Sequence, residues 1–506
     1  MIKKYFVYLS IGLLVNAFFT SCKKDKSPIP FTAPASLGTA LDRVKDSIYL
    51  YTQEDNLWYN SLPDYATFKP RTFTGTTEIE GLQKEVDALS QYGINPTTGK
   101  PYEYEAAYPG EAKYSFIDQG QTATSLGGTN GDYGFSPIYN TIADLRIRYV
   151  YPGSPADKAG LVRGYQIIKI NNSTAISYDG STGSNYKAVN SALFSSTTIS
   201  MTLQKPDNTT FDVTLNTANY TVNPVLKYKL LDLGNSKKLG YIVFNSFTTP
   251  DNAKAYLDAA FTSFTAGGIT DLVVDLRYNG GGSVATAEYL SNLIVPAAKT
   301  NTVMYTSYYN DKLQNDKYPL LSKIYRINAG DFKPANNQVK FAKAGSLNIS
   351  RVFFIVSGNT ASASELTINN LIPEMNVQLI GKTTYGKPVG FFAIPIGAYE
   401  LYTPEFETKN SASAGGYYAG MTPGSATYPG VDASDDVTHD FGDVNEAMLA
   451  RAISYTTKGT YAIATGLTTL STSKSGQLSE EQVNQISHDF SKKDVKIMIS
   501  KKFIEK

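Results

Sequence analysis

Between Gly240 and Lys382 the chain alternates short apolar runs with helical stretches, and this alternation restricts the fold more than any other feature. The runs are GYIVFNSF (240–247), DLVVDLR (271–277), RVFFIVS (351–357) and VQLIGK (377–382). Each reads as a strand, that at 351–357 as a buried one. Helices are predicted from about Ala285 and from Ala363, the second stopped by Pro373. Strands alternating with helices indicate an α/β core.

At 506 residues the chain is too long for one hydrophobic core, so further domains are expected around this one. The 46 basic residues balance 45 acidic ones, which removes the one-signed field that nucleic-acid binding requires. Residues 1–21 read as a signal peptide: Lys3 and Lys4 precede an apolar run from Tyr5 to Phe19, too short to span a bilayer comfortably. Thr20 and Ser21 then precede Cys22, the only cysteine. This box resembles the cleavage site of bacterial lipoproteins, with Phe19 where leucine is usual, and the resemblance implies lipidation of Cys22. Residues 22–36 are the lipidated cysteine and a Lys/Ser/Pro/Thr-rich tether. Leu41, Val44, Ile48, Leu50 and Tyr51, then Leu82, Val86 and Leu89, have helical spacing, so residues 37–112 read as a small helical region with Trp58 as a core anchor.

Residues 113–222 are β-rich. Within Arg146–Asn172 a strand, a Pro152–Gly153 turn, a short helix from Pro155, a Gly164 turn and a second strand follow one another. GSPADKAGL and IIKINN together resemble a PDZ domain of the kind found in bacterial proteases, with Tyr165 where aspartate is usual. That resemblance implies a peptide-binding loop at Gly134, Phe135 and Ser136, where backbone amides before an edge strand meet a peptide carboxylate. The other reading is a spacer that binds nothing.

Chemistry concentrates in Arg351–Phe391. Ser362 lies at a strand-to-helix turn, flanked by Ala361 and Ala363, where free amides of a first helical turn can stabilise an oxyanion. A serine needs a base. The two histidines, His439 and His488, lie in a polar run and in the tail, so a buried, neutral lysine is the better candidate, and Lys387 follows the strand at 377–381. Ser364 and Lys382 are the nearest competitors. Gly381-Lys382-Thr383 mimics the end of a phosphate loop, but Asn376 stands where the earlier glycine is needed. There is no clustered Cys/His pattern for zinc. Asp275, Glu365 and Asp435 are carboxylates of the kind that is usually structural or solvated.

TASASE, a strand, then GK, with Ser362 and Lys387 in them, resembles the signature of the C-terminal processing (tail-specific) proteases. DLRYNGGGSV (275–284), KKLGYIVFNSF and GMTPG followed by DDVTHDFGD also look like segments of that family. The resemblance implies a multidomain α+β protein: an N-terminal helical region, a PDZ-like β-rich domain at 113–222 and, at 223–465, an α/β serine protease core resembling the ClpP/crotonase-like fold. Residues 466–506 form a tail without recognisable chemistry. The family implies Ser362 as nucleophile and Lys387 as general base, with amides of Gly281, or Gly282 as fallback, and Ala363 in the oxyanion hole. It implies no cofactor and no metal. Phe391 stands where the family often has a glutamine beside the lysine, and Thr360 replaces a serine. The expected function is an exported serine endopeptidase, periplasm-facing or at the outer membrane or cell surface, acting on proteins or peptides. The rival is a catalytically silent, PDZ-containing binding or scaffold lipoprotein. If Cys22 is acylated, Cys22→Ser moves the protein from the membrane pellet to the soluble exported fraction; unchanged sedimentation with membranes refutes the anchor.

Overall fold

The computed structural model describes residues 38–463, 477–479, 482, 483, 486, 489, 490, 496–500 and 503. The expected signal peptide and tether, Cys22 and His488 lie outside the described residues.

Helices Ala40–Asp55 and Glu78–Ser90 begin at threonine caps: Thr39 accepts from the Asp42 amide and Asp42 accepts in return from the Thr39 amide, while Thr77 caps the second helix. Their apolar faces, Ile48 and Tyr49 with Leu82, Val86 and Leu89, join the main core. Trp58 is half-buried in the connection after the first helix, stacked on Tyr102 with ring centroids 4.5 Å apart.

Residues 135–216 form a separate five-stranded antiparallel sheet, ordered Phe135–Thr141, Asp144–Val150, Gln166–Ile170, Thr198–Gln204, Thr210–Asn216. Helices Pro155–Lys158 and Ser184–Phe194 accompany it, the first capped by Ser154, over a core that includes Ile147, Ile167, Ile199 and Leu203. Phe135–Thr141 is an edge strand.

The central sheet has six strands ordered Gly430–Asp432, Asn376–Gly381, Arg351–Val356, Asp271–Asp275, Lys238–Phe244, Val225–Asp232. All neighbours are parallel except the last pair. Its residues do alternate, but between two buried layers. Ile242, Phe244, Leu272, Val274, Val352 and Phe354 enter the layer under helices Pro250–Gly267, Val284–Ile294 and Ala363–Leu371. Tyr241, Val243, Val273, Phe353 and Ile355 enter the layer under Ala447–Lys458. Two antiparallel sheets built on Val303–Tyr309/Phe406–Asn410 and on Phe116–Asp118/Tyr399–Tyr402 flank this core, so the whole is α+β with mixed sheets.

One buried charge network joins the β-rich unit to the core. Arg277 donates to Asp275 (2.7 and 2.9 Å), Glu446 (2.8 Å) and Asp435 (2.6 Å), and Arg163, from the turn before Gly164, also donates to Asp435 (2.8 Å). Asp435 is held below the ordinary carboxylate range by the two guanidiniums, against its burial. Asp275, Glu365 and Asp435, expected to be structural or solvated carboxylates, are all hydrogen-bonded, and Asp275 and Glu365 are fully enclosed. The tail also departs from expectation: Ile497–Ile499 is a strand, paired in parallel with Gly281–Ser283. Arg277→Met strands three acidic groups around a single remaining guanidinium and is expected to cost about 3–5 kcal/mol, read as a lower urea midpoint at unchanged slope. A midpoint within error of the parent refutes that role.

Candidate active site

The parallel strands all end at one edge of the sheet, and the loops that leave this edge carry the candidate residues, as is general for open α/β sheets. After Arg351–Val356 the chain forms a tight loop whose Thr360 Oγ1 donates to Leu276 O (2.8 Å) and whose Ala361 amide donates to Asn279 O (3.1 Å). Ser362 follows as N-cap of helix Ala363–Leu371, with φ 62° and ψ −112°. A non-glycine residue in that region is strained, and such strain persists where the surroundings over-determine it. Ser362 is fully buried, and its Oγ has no hydrogen-bond partner among the described residues.

What over-determines the turn is Glu365. One oxygen of its carboxylate, Oε2, accepts from the Ser362 amide (2.9 Å) and from the Lys387 amide (2.8 Å), while Oε1 accepts from the Gly386 amide (2.8 Å) and Thr384 Oγ1 (2.5 Å). The backbone nitrogens of Ser362 and Lys387 therefore lie one oxygen atom apart. Burial pushes Glu365 upward, and its four donors oppose the shift. The signal was present in the sequence as Ser-x-x-Glu at a helix start, the capping-box pattern.

Lys387 is fully buried, and burial drives its ammonium well below the ordinary lysine range against the attraction of Glu103, Glu405 and Glu365. Its Nζ lies 3.7 Å from the centroid of the Phe391 ring and donates to Lys496 O (2.5 Å). An aromatic face thus occupies the position expected for an orienting amide. Glu103, which burial raises to about 7, accepts from Ser115 and Tyr114, and the Tyr114 hydroxyl donates to Gly386 O (2.5 Å). Neither residue carries a sequence signal that marks it as part of this shell. Of the competitors, Ser364 donates its hydroxyl to Asn279 O (3.0 Å), and Lys382 is half-exposed in an ion pair with Asp432 (2.8 Å). His439 pairs with Asp436 (2.7 Å).

The glycine loop after Asp271–Asp275 lies against the same turn. Gly281 and Gly282 have φ of 104° and 139°. A Cβ on Gly281 would sit 2.9 Å from both the Ala363 amide and Ser362 Cβ, and one on Gly282 would sit 2.0 Å from Phe247 O, so only glycine fits. The Gly281 amide donates to Asn279 Oδ1 (2.9 Å), whose Nδ2 is fixed on Phe244 O (2.7 Å).

The loop at Gly134, Phe135 and Ser136 belongs to the β-rich unit. Its Gly134 amide donates to Asp132 (2.7 Å), and Ser136 Oγ accepts from Arg148 (2.7 Å). Between the edge strand and helix Ser184–Phe194, Phe490 packs on Tyr139, Tyr186 and Phe194, and Asp489 accepts from the Tyr108 and Tyr186 hydroxyls. Among the described residues no group of three or more His, Cys, Asp or Glu could hold a metal ion, and no helix is long and apolar enough to cross a membrane.

Residues 238–403 match the family model described as peptidase family S41. A carboxyl-terminal-processing protease of Picosynechococcus sp. is 26% identical over 257 residues, covering 50% of this chain and 54% of the relative. The processing protease CtpA of Bacillus subtilis is 28% identical over 240 residues, covering 46% and 42%. The chain thus spans about half the length of the curated relatives it matches. Among solved structures, a protein assigned to the S41 proteases from Bacteroides fragilis superposes with a TM-score of 0.54 at 25% identity, over 82% of this chain and 97% of that one. Residues 238–403 thus match peptidase family S41, and the chain is similar over about half its length to carboxyl-terminal-processing proteases.

Proposed function

We propose that the chain is a serine peptidase that cleaves peptide bonds by acyl transfer with a Ser362/Lys387 dyad. The observation that carries this reading is the shared Glu365 oxygen, which brings a strained, buried serine beside a buried lysine. Neutral Lys387 takes the Ser362 hydroxyl proton as Oγ attacks the scissile carbonyl. The Ala363 amide, with that of Gly281 or Gly282, stabilises the oxyanion, and Lys387 returns the proton to the leaving amine. A water then hydrolyses the acyl-enzyme by the same proton path. Gly281 serves this role only if its amide leaves Asn279, which favours Gly282 as an equal candidate.

The antiparallel unit 135–216 is proposed as a PDZ-like module that captures peptide along the edge strand Phe135–Thr141 near Gly134, Phe135 and Ser136. The substrates proposed are exported proteins or peptides, and the chain is placed outside the cytoplasm on a Cys22 lipid anchor.

Ser362→Ala abolishes cleavage of an unfolded protein and labelling by a fluorophosphonate; labelling of neither parent nor variant favours the silent binding protein instead. Because the lysine must be neutral, activity rises with pH through its depressed pKa, and the rise disappears with the activity in Lys387→Ala and Lys387→Arg. Turnover retained in either lysine variant refutes this base. Glu365→Ala leaves the Ser362, Gly386 and Lys387 amides unpaired in the interior, and kcat falls at least ~100-fold, roughly 3 kcal/mol of transition-state stabilisation. Parent-like kcat in a folded Glu365→Ala protein refutes the clamp.

A further inference from the structure

The strand Ile497–Ile499 reaches the site from a segment in which the sequence showed no chemistry. It lies between two others. Its register pairs Ile497 with Gly281, Met498 with Gly282 and Ile499 with Ser283 on one side, and the Ile497 amide donates to Gly280 O (3.1 Å). On the other side Met498 O accepts from the Phe391 amide (2.8 Å) and the Ser500 amide donates to Phe391 O (2.9 Å). A Cβ on Gly281 would sit 2.3 Å from Ile497 O and 2.9 Å from Ser362 Cβ and the Ala363 amide, so the Ile497 carbonyl lies beside the nucleophile and the first amide of its helix. One residue earlier, Lys496 O accepts the Lys387 Nζ hydrogen bond, while the Lys496 ammonium sits 3.7 Å from the Tyr385 ring centroid.

We propose that residues 496–500 act as a pseudosubstrate, occupying the peptide cleft of this same chain and holding the dyad apart. This rests on the peptidase reading of Ser362. Two features argue for it over mere packing. The segment is bound as an extended peptide would be, by backbone hydrogen bonds on both edges, which are indifferent to sequence. It also takes the base: Lys387 is bonded to the segment's carbonyl, and the buried Ser362 hydroxyl has no partner among the described residues.

The occupant also defines what the cleft accepts. Ile497 and Ile499 point into a layer with Tyr114, Leu126, Val389 and Phe391, whereas Met498 points into the main core. Both faces of the cleft are apolar, so the substrate class is an extended segment with three consecutive apolar residues. Such a segment is rare on a folded surface and common in an unfolded chain.

The test uses the full chain. Ile497→Asp, Met498→Asp and Ile499→Asp together place three charges where burial is prohibitive, and fluorophosphonate labelling of Ser362 is expected to accelerate at least ~10-fold over the parent, because a tethered competitor acts at high effective concentration. A synthetic peptide with the sequence of residues 496–506 then slows labelling of that variant. Equal labelling of parent and folded variant, or no effect of the peptide, overturns the proposal while leaving the peptidase reading intact. A second variant reads occupancy without activity: Ser283→Cys with Ile499→Cys, in the Cys22→Ser background, places thiols at register partners. Oxidation is expected to form the disulfide and to suppress labelling, with recovery on reduction. Failure to crosslink overturns the proposal whatever the activity; crosslinking, with no labelling even of the triple Asp variant, supports the occupied cleft and refutes the peptidase reading.

Discussion

A single buried carboxylate organises the candidate site. Glu365 terminates four donors from two loops, and those loops approach one another because they compete for the same two oxygen atoms. The strained Ser362 backbone, the burial of Lys387 and the closure of the turn at Thr384–Gly386 all depend on it. A buried charge with full hydrogen-bonding is a strong local constraint because each donor lost would leave an unpaired group in the interior. The same enclosure that fixes the geometry also desolvates Lys387, so position and protonation state share one cause.

Around this centre the sheet works as a rigid platform. Its two apolar layers leave the strands no freedom to slip in register, since a one-residue shift would exchange the layers. Loops departing from one edge are thereby aimed at a common point. The Arg277 network adds a second constraint by linking the loop after Asp271–Asp275, through Asp435, to Arg163 of the antiparallel unit. The position of that unit relative to Ser362 and Lys387 is therefore set by directional bonds between buried groups, in addition to apolar contact.

Legibility in the sequence followed the range of the interactions. The four central strands, the helix from Ala363 and the strand–turn–helix–turn–strand of Arg146–Asn172 could be read because each depends on neighbours in sequence. Ser362 and Lys387 stood out through local pattern and through resemblance. The Ser-x-x-Glu spacing marks Glu365 as a capping residue, but nothing local shows that its carboxylate also meets residues 384–387. The flanking antiparallel sheets, Glu103 and Tyr114 behind Lys387, and the strand at 497–499 depend on pairings across tens to hundreds of residues, which hydrophobic periodicity does not encode. The three residues of that last strand look like any short apolar run until their partners are known.

The shared oxygen has a consequence for how freely this chain can vary. Glu365 sits one helical turn from Ser362, so the gap between the serine and lysine amides is set by one shared carboxylate oxygen rather than by the contour of residues 366–383. Additions or deletions in the turn around Pro373–Met375, at the far end of the helix, would lengthen or shorten the connection without altering that gap. The site is thus decoupled from loop length on its distal side, and the freedom to diverge lies there, whereas the short stretch Thr384–Lys387 tolerates no change in spacing.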